Sequence, residues 1–271
     1  MVKRALFPAA GYGTRFLPAT KSVPKEMLPI VNKPLIHYAI EECLEAGIDQ
    51  IGFITGRNKR AIEDYLDHAP ELEHHLEIKG KGGLLKEVNR LMEKCTFTYV
   101  RQKKMRGLGD AVLTGEPLVG GEPFAVVLAD DLCLGNPISQ MVKLFHRYRC
   151  SIVAVEEIDI SESEKYGIIE GREVEEGVFV VERMVEKPAP SDAPSNLAII
   201  GRYILTPEIF DYLRTTPPGR GGEVQLTDAL NRLAGDHLVI AYRFKGKRFD
   251  CGSVEGFIEA TNHFYNLLSR R

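Results

Sequence analysis

The 271-residue chain is short of the features that announce several common protein classes. Its five cysteines, Cys43, Cys95, Cys133, Cys150 and Cys251, are an odd number, lie far apart and include no C-x-x-C pair. Zinc sites and disulfide scaffolds need closer, paired spacing, so this usage points to a reducing compartment, the cytoplasm. No apolar run approaches the length of a membrane span, and the N-terminus lacks the basic, apolar and small-residue order of a secretory signal. Neither sign of charge dominates. The 35 Lys and Arg against 38 Asp and Glu leave a formal net charge of −3 and a pI near 6.2, whereas a general nucleic-acid binder is expected to be basic. Neither nucleic acid nor a membrane is therefore expected as a partner. The length, with 44% hydrophobic and 27% charged residues, suits one large soluble domain.

Several catalytic strings are also missing. There is no G-x-x-x-x-G-K-[ST] phosphate loop. The dinucleotide fingerprint fails because Phe16 stands where its third glycine belongs, which argues against a nicotinamide-dependent oxidoreductase. No H-E-x-x-H and no Ser/His/Asp elbow occurs, and His74-His75 lies in a charged stretch expected to be a solvated loop.

What the chain does have begins at once. The apolar run Ala5-Leu6-Phe7 leads into Pro8-Ala9-Ala10-Gly11-Tyr12-Gly13-Thr14-Arg15, and Lys25-Glu26-Met27-Leu28-Pro29 follows. A loop of small residues after a first strand lets backbone N–H groups approach a phosphate chain closely. Arg15 adds a planar, permanently charged fork and Lys25 a second cation, so Gly11, Gly13, Arg15 and Lys25 read as a nucleoside triphosphate site. Tyr12 reads as a loop-packing residue.

Strand and helix signals then alternate. Strands are expected at Ala5–Ala9, Ile51–Thr55, Phe97–Val100 and Phe124–Leu128, and helices at Pro34–Ala46, Lys59–Leu66 and Gly80–Met92, with a short one opening at Asp110–Val112. This predicts an α/β, Rossmann-like, mostly parallel central sheet flanked by helices, with its site at the carboxyl ends of the strands. The second half reads as an additional antiparallel segment, with strands at Ser151–Glu156, Gly167–Ile169, Val178–Val185 and Ala198–Leu205. Helices are expected at Thr206–Leu213, Leu226–Ala234 and Glu255–Leu268, the last carrying Phe257, Ala260, Phe264 and Leu267 or Leu268 on one stripe. No internal repeat or long linker appears. The expectation is one domain over residues 1–271, with 1–150 mainly for the nucleotide, 151–254 mainly for the second substrate, and 255–271 a C-terminal helix.

Asp130 follows a buried strand and Asp250 follows another. Paired with each other, such carboxylates suit Mg²⁺ beside a phosphate, while singly each is as readily a turn residue or a helix N-cap. Gln102 has both the donor and the acceptor that a pyrimidine edge needs, with Gly107 offering backbone beside it. Glu186 and Glu223 suit sugar hydroxyls, and Lys187 suits a sugar phosphate. A Glu-Lys pair is otherwise an ordinary solvated face, and Glu223 an ordinary helix N-terminal acid.

Taken in order, Pro8 to Arg15, Lys25 to Pro29, Arg101-Gln102, Gly107-Leu108-Gly109, Asp130, Glu186-Lys187-Pro188, Gly222 to Asp228 and Phe249-Asp250-Cys251-Gly252 span nearly the whole chain. They resemble the sugar nucleotidylyltransferases, and among these the bacterial UTP–glucose-1-phosphate uridylyltransferases. The resemblance implies transfer of a uridylyl group from UTP to α-D-glucose 1-phosphate, giving UDP-glucose and pyrophosphate, with Mg²⁺ as cofactor and a homodimer or homotetramer as the assembly. It implies that Ala10 and Gly11 bind the nucleotide by backbone groups, that Arg15 grips pyrophosphate and that Lys25 stabilises the α-phosphate. It further implies that Gln102 and Gly107 read uracil, that Asp130 and Asp250 hold Mg²⁺, that Gly167, Glu186 and Glu223 meet glucose, and that Lys187 meets its phosphate. Two positions depart from the common pattern, Ala129 and Asp110, and Asp110 sets an acid near the base pocket. A thymidylyl or other sugar-phosphate transferase is the neighbouring alternative, and a non-catalytic regulator that binds UDP-sugars is the alternative of another class.

Overall fold

The computed structural model describes residues 1–269. Strand β1 (Arg4–Pro8) runs into the glycine loop, short 3-10 turns at Thr14–Phe16, Ala19–Lys21 and Lys25–Met27, the two-residue strands β2 (Pro29–Ile30) and β3 (Lys33–Pro34), and helix α1 (Leu35–Glu45). Next come β4 (Gln50–Thr55), α2 (Arg60–Tyr65), α3 (Pro70–Ile78), α4 (Lys86–Lys94), β5 (Thr96–Arg101), α5 (Leu108–Thr114), α6 (Glu116–Val119) and β6 (Phe124–Val127). The second half holds β7 (Asp131–Leu134), α7 (Pro137–Tyr148), β8 (Ser151–Glu157), β9 (Gly167–Glu175), β10 (Val178–Glu186) and β11 (Leu197–Leu205). It closes with α8 (Ile209–Thr215), α9 (Leu226–Asp236), β12 (Val239–Arg243), β13 (Lys247–Asp250) and α10 (Val254–Leu268).

Nine strands form one mixed sheet in the order β5-β4-β1-β6-β11-β8-β12-β10-β9. The first four are parallel, as the βαβ pattern predicts. From β11 onward the neighbours are antiparallel except for β12, which lies parallel to β8. The antiparallel segment thus continues the parallel sheet edge to edge. Alternation along each strand splits the core between two faces. Ala5, Phe7, Ile51, Phe53, Ala125 and Val127 point to the layer containing Ile36, Ile40, Ile138 and Met141 of α1 and α7. Leu6, Ile54, Phe124 and Val126 point to the layer containing Val112, Phe210, Leu230 and Leu233 of α5, α8 and α9.

Some local expectations change. The charged stretch holding His74-His75 is helix α3, opened by Pro70 at its first position with Glu71 and Glu73 in its first turn. Its apolar residues are Leu72, Leu76 and Ile78, none of them buried, so only one short i,i+4 step marks it among the charges. The helix expected over Gly80–Met92 is a 3-10 turn at Gly82–Leu85 followed by α4, because glycines favour a tight turn over a regular helix start. Tyr12 is 70% exposed and packs against no core, so it is not a loop-packing residue.

A third, smaller core joins Ile30, Leu35, Leu132, Phe249, Cys251 and Ala260, with Phe257 and Phe264 packed on it. It lies under the two-stranded sheet β7–β13, whose register sets Asp250 opposite Asp131. This pairing brings the distant C-terminal motif to the carboxyl end of β6. No helix among the described residues is long and apolar enough to cross a membrane.

Candidate functional site

A cavity of about 830 Å³ opens at the carboxyl ends of the parallel strands. Arg15, Asp130, Asp131, Asp250, Tyr166, Gly167, Glu186 and Lys187 are among its lining residues. Gly13 takes a left-handed backbone (φ 67°) that caps the turn carrying Arg15, and an added side-chain carbon would meet Lys25 Cβ at 3.2 Å. This tight turn packs the first cation's loop against the second cation's stem.

Lys25 Nζ lies 2.5 Å from Asp130 Oδ2, with both side chains about four-fifths buried. Burial alone would lower the lysine's pKa and raise the aspartate's. Asp130 and Glu26 more than offset this for Lys25, which is raised, and Lys25 does so for Asp130, which is lowered. Asp250 behaves oppositely. Burial and then the neighbouring Asp131 charge raise its pKa, and Arg248 only partly counters them.

Gly252 supplies the space between these groups. A Cβ built there would lie 3.0 Å from each of Arg15 Nη2, Asp130 Oδ2 and Asp250 Oδ1. The two carboxylate oxygens therefore converge on one point and are at most twice that distance apart. Two oxygen ligands from Asp130 and Asp250, in a pocket that already draws the Lys25 ammonium onto Asp130, fit a hard divalent cation.

The supporting frame uses a different set of charges. Arg248 donates to Asp131 Oδ1 at 2.6 Å, to Glu156 at 2.6 Å and to Tyr166 Oη at 3.1 Å, while Asp131 Oδ2 accepts from the Gly201 N–H at 2.7 Å. Tyr166 Oη in turn lies 3.4 Å from Asp250 Oδ2. Behind this knot, fully buried Arg202 pairs with Glu42 at 2.8 Å and donates to the carbonyls of Leu128 and Asp131 at 2.9 and 2.7 Å. These bonds fix both ends of the turn that presents Asp130.

The model of the nucleotidyl transferase family matches residues 5–266. The chain belongs to the nucleotidyl transferase family. The transferase is 61% identical over 272 residues to a UTP–glucose-1-phosphate uridylyltransferase of Pseudomonas aeruginosa, covering 99% of this chain and 98% of that protein. It is 48% identical to UTP–glucose-1-phosphate uridylyltransferase 1 of Staphylococcus saprophyticus, covering 97% and 92% of the two chains. Among solved structures it matches a UDP-glucose pyrophosphorylase complexed with UDP-glucose, with a TM-score of 0.93, 57% identity and coverage of 98% and 99%. Members of this family generally use a divalent metal ion.

The fold of this transferase brings together Arg15, Asp130, Gly167, Glu186, Lys187 and Asp250 around one cavity, and pairs Lys25 with Asp130. Lys187 has a left-handed backbone (φ 48°), uncommon for a residue with a side chain and typical of ligand-contacting turns. Its ammonium lies 3.3 Å from Glu186 Oε1. Gly11 borders a second cleft of about 240 Å³ with Thr14, Lys21, Arg57 and Lys59, and buried Ala10 stands beside it in sequence. Gln102 and Gly107 lie together at the end of β5, outside the larger cavity, with Gln102 Nε2 donating to Asp110 Oδ2 at 2.7 Å. Glu223 is exposed and packs against Gly107, where an added Cβ would come within 2.7 Å of it; it does not line the cavity.

Sequence reasoning missed Asp131, Tyr166, Arg248, Arg202 and Lys59. Lys59 is buried and pairs at 2.7 Å with Glu26, whose pKa burial raises against that lysine's pull. The Arg248-Phe249-Asp250 alternation carried a signal for Arg248, because strand neighbours two apart share a face. Arg202 is the one charge in the apolar run Leu197–Leu205, and that alone signals a buried, paired guanidinium; its partner Glu42 lies far away in sequence and has no such signal.

Proposed function

We propose that the chain transfers the uridylyl group of UTP to α-D-glucose 1-phosphate, releasing pyrophosphate. The observation that carries this reading is the convergence of Arg15, Asp130 and Asp250 at Gly252, in one cavity with Glu186 and Lys187. The full-length similarity to uridylyltransferases supports it. Residues 1–150 would serve mainly the nucleotide and 151–254 mainly the sugar phosphate, with 255–271 as the C-terminal helix.

In this reading, backbone groups of Ala10, Gly11 and Gly13 cradle the triphosphate, and Gln102 with Gly107 meets the uracil. Gly167, Glu186 and Glu223 contact the glucose, and Lys187 draws in its phosphate. The attacking phosphate oxygen is already an anion, so no general base is required. The barrier is the approach of two anions, and catalysis is positioning with charge neutralisation. Lys25 leaves Asp130 to stabilise charge at the α-phosphate, while Arg15 takes the developing charge of the pyrophosphate. Asp130 and Asp250 would hold Mg²⁺, which supplies further neutralisation of phosphate charge when bound.

Purified protein given UTP, glucose 1-phosphate and Mg²⁺ is expected to release pyrophosphate, with loss on adding EDTA. A parallel dTTP reaction that ran faster would move the chain to a thymidylyl role, and UDP-glucose binding without release would favour a non-catalytic regulator. The five unpaired cysteines support a cytoplasmic location. Exposed Ile258, Tyr265, Leu267 and Leu268 on α10 support a homodimer or homotetramer, which light scattering would test.

A further inference from the structure

Asp110 is an acid beside Gln102 and Gly107. It is only 6% exposed, and both of its oxygens are engaged. Oδ1 accepts from Arg106 Nε at 3.0 Å and Nη2 at 2.6 Å, and Oδ2 accepts from Gln102 Nε2 at 2.7 Å. Gln102 Nε2 also lies 3.4 Å from the Gly107 carbonyl. A carboxylate can only accept hydrogen bonds, so the Gln102 atom facing it must be the amide NH₂ group. The amide of Gln102 is thereby locked in one of its two orientations. Its Oε1 accepts from no donor among the described residues.

We infer that Asp110, clamped by Arg106, is a positioning residue that makes Gln102 a pure acceptor and so selects a uracil-type base over cytosine. The inference rests on the reading that Gln102 meets the base of the nucleoside triphosphate. The pairing edge of uracil has a single donor, N3–H, between two carbonyl acceptors. A group that only accepts can engage that edge only at N3–H. Cytosine offers a lone pair at the same atom, so it meets Oε1 with repulsion and an unpaired polar group, the mismatch that discriminates most strongly. The Asp110 carboxylate therefore writes the specificity without touching the base.

The test is Asp110→Asn, which keeps the shape and exchanges one acceptor for a donor. Arg106 keeps the remaining oxygen, because a guanidinium has no acceptor to offer the amide. The Asn NH₂ then faces Gln102, whose amide must turn and present its own NH₂ toward the base. Steady-state kinetics with UTP and CTP are expected to show kcat/KM for UTP falling and the CTP/UTP ratio rising about tenfold or more. In a Gln102→Ala background the same substitution is expected to leave the ratio unmoved. Asp110→Ala, which frees the amide to turn either way, is expected to give an intermediate ratio. Equal losses for both nucleotides in Asp110→Asn, or a ratio shift that persists without Gln102, would overturn the inference while leaving the uridylyl reading intact. Wild-type protein with no turnover of UTP would overturn that reading and the inference together.

Discussion

Asp130 and Asp131 are neighbours in sequence and opposites in circumstance. Asp130 faces the cavity and holds one partner, the Lys25 ammonium, beside the space left by Gly252. Asp131 has a fixed partner on each oxygen, Arg248 on one and the Gly201 N–H on the other. Both line the cavity, but β7 begins at Asp131, whose carboxylate is held by the Arg248 and Gly201 groups of the frame. A carboxylate with an exchangeable cation is available for chemistry, whereas one with a fixed partner on each oxygen gives geometry to its neighbours.

The contrast can be broken from either side. The largest effect is expected for Asp130→Asn, which removes one of two converging carboxylates. Pyrophosphate release should fall by about 10²–10³-fold, with a smaller change in melting temperature than any frame variant gives. Wild-type turnover in this variant would reject the metal role.

Arg202→Met is the counterpart in the frame. It strands the buried Glu42 carboxylate and releases the Leu128 and Asp131 carbonyls, and should cost about 3–5 kcal/mol in chemical denaturation. Adding Glu42→Leu should return part of that stability, because the stranded charge is then gone.

Asp131→Asn probes the same turn more gently. Arg248 keeps Glu156, so a loss of about 1–3 kcal/mol is expected, with turnover at saturating substrate much less affected than in Asp130→Asn. Equal kinetic damage from the two neighbours would mean that both serve the chemistry.

The smallest effect lies in pH dependence. Asp130 has a lowered pKa, so its contribution to stability is present above the ordinary aspartate value and is lost as pH falls toward the lowered one. Asp250 has a raised pKa, so the folded state holds its proton more tightly. Its contribution is favourable in acid and is lost as pH rises from the ordinary value through the raised one. Melting curves in EDTA between about pH 3 and 6 should therefore change slope in opposite senses in Asp130→Asn and Asp250→Asn. Equal slopes in the two variants would deny the contrast between their settings.

Much of this molecule is legible in its sequence. The parallel half follows from the apolar strands at β1, β4, β5 and β6 and the amphipathic α1, since each carries its own period. Motifs made of consecutive residues, such as Gly11 to Arg15 and Glu186-Lys187, also announce their chemistry, because charge and small size are properties of the residues themselves. Helix α3 is hard to read because Leu72 and Leu76 give a single helical step within a charged stretch and neither is buried in the core. Strand β12 is not among the expected strands, and its parallel pairing with β8 has no sequence signal because strand partners are chosen by the sheet and not by the strand.

The sequence by itself therefore determined the alternating architecture and the stock of cations, carboxylates and small residues for the site. Tertiary structure decided which of them meet. Asp250 reaches Asp130 only through the β7–β13 register, and Gly252 matters only because three charged groups arrive at its missing side chain. Asp110 gains its meaning from Gln102 eight positions earlier and Arg106 one turn back. Hydrogen bonds and ion pairs act over a few ångströms, so their partners are set by distance in space, which separation along the chain does not encode.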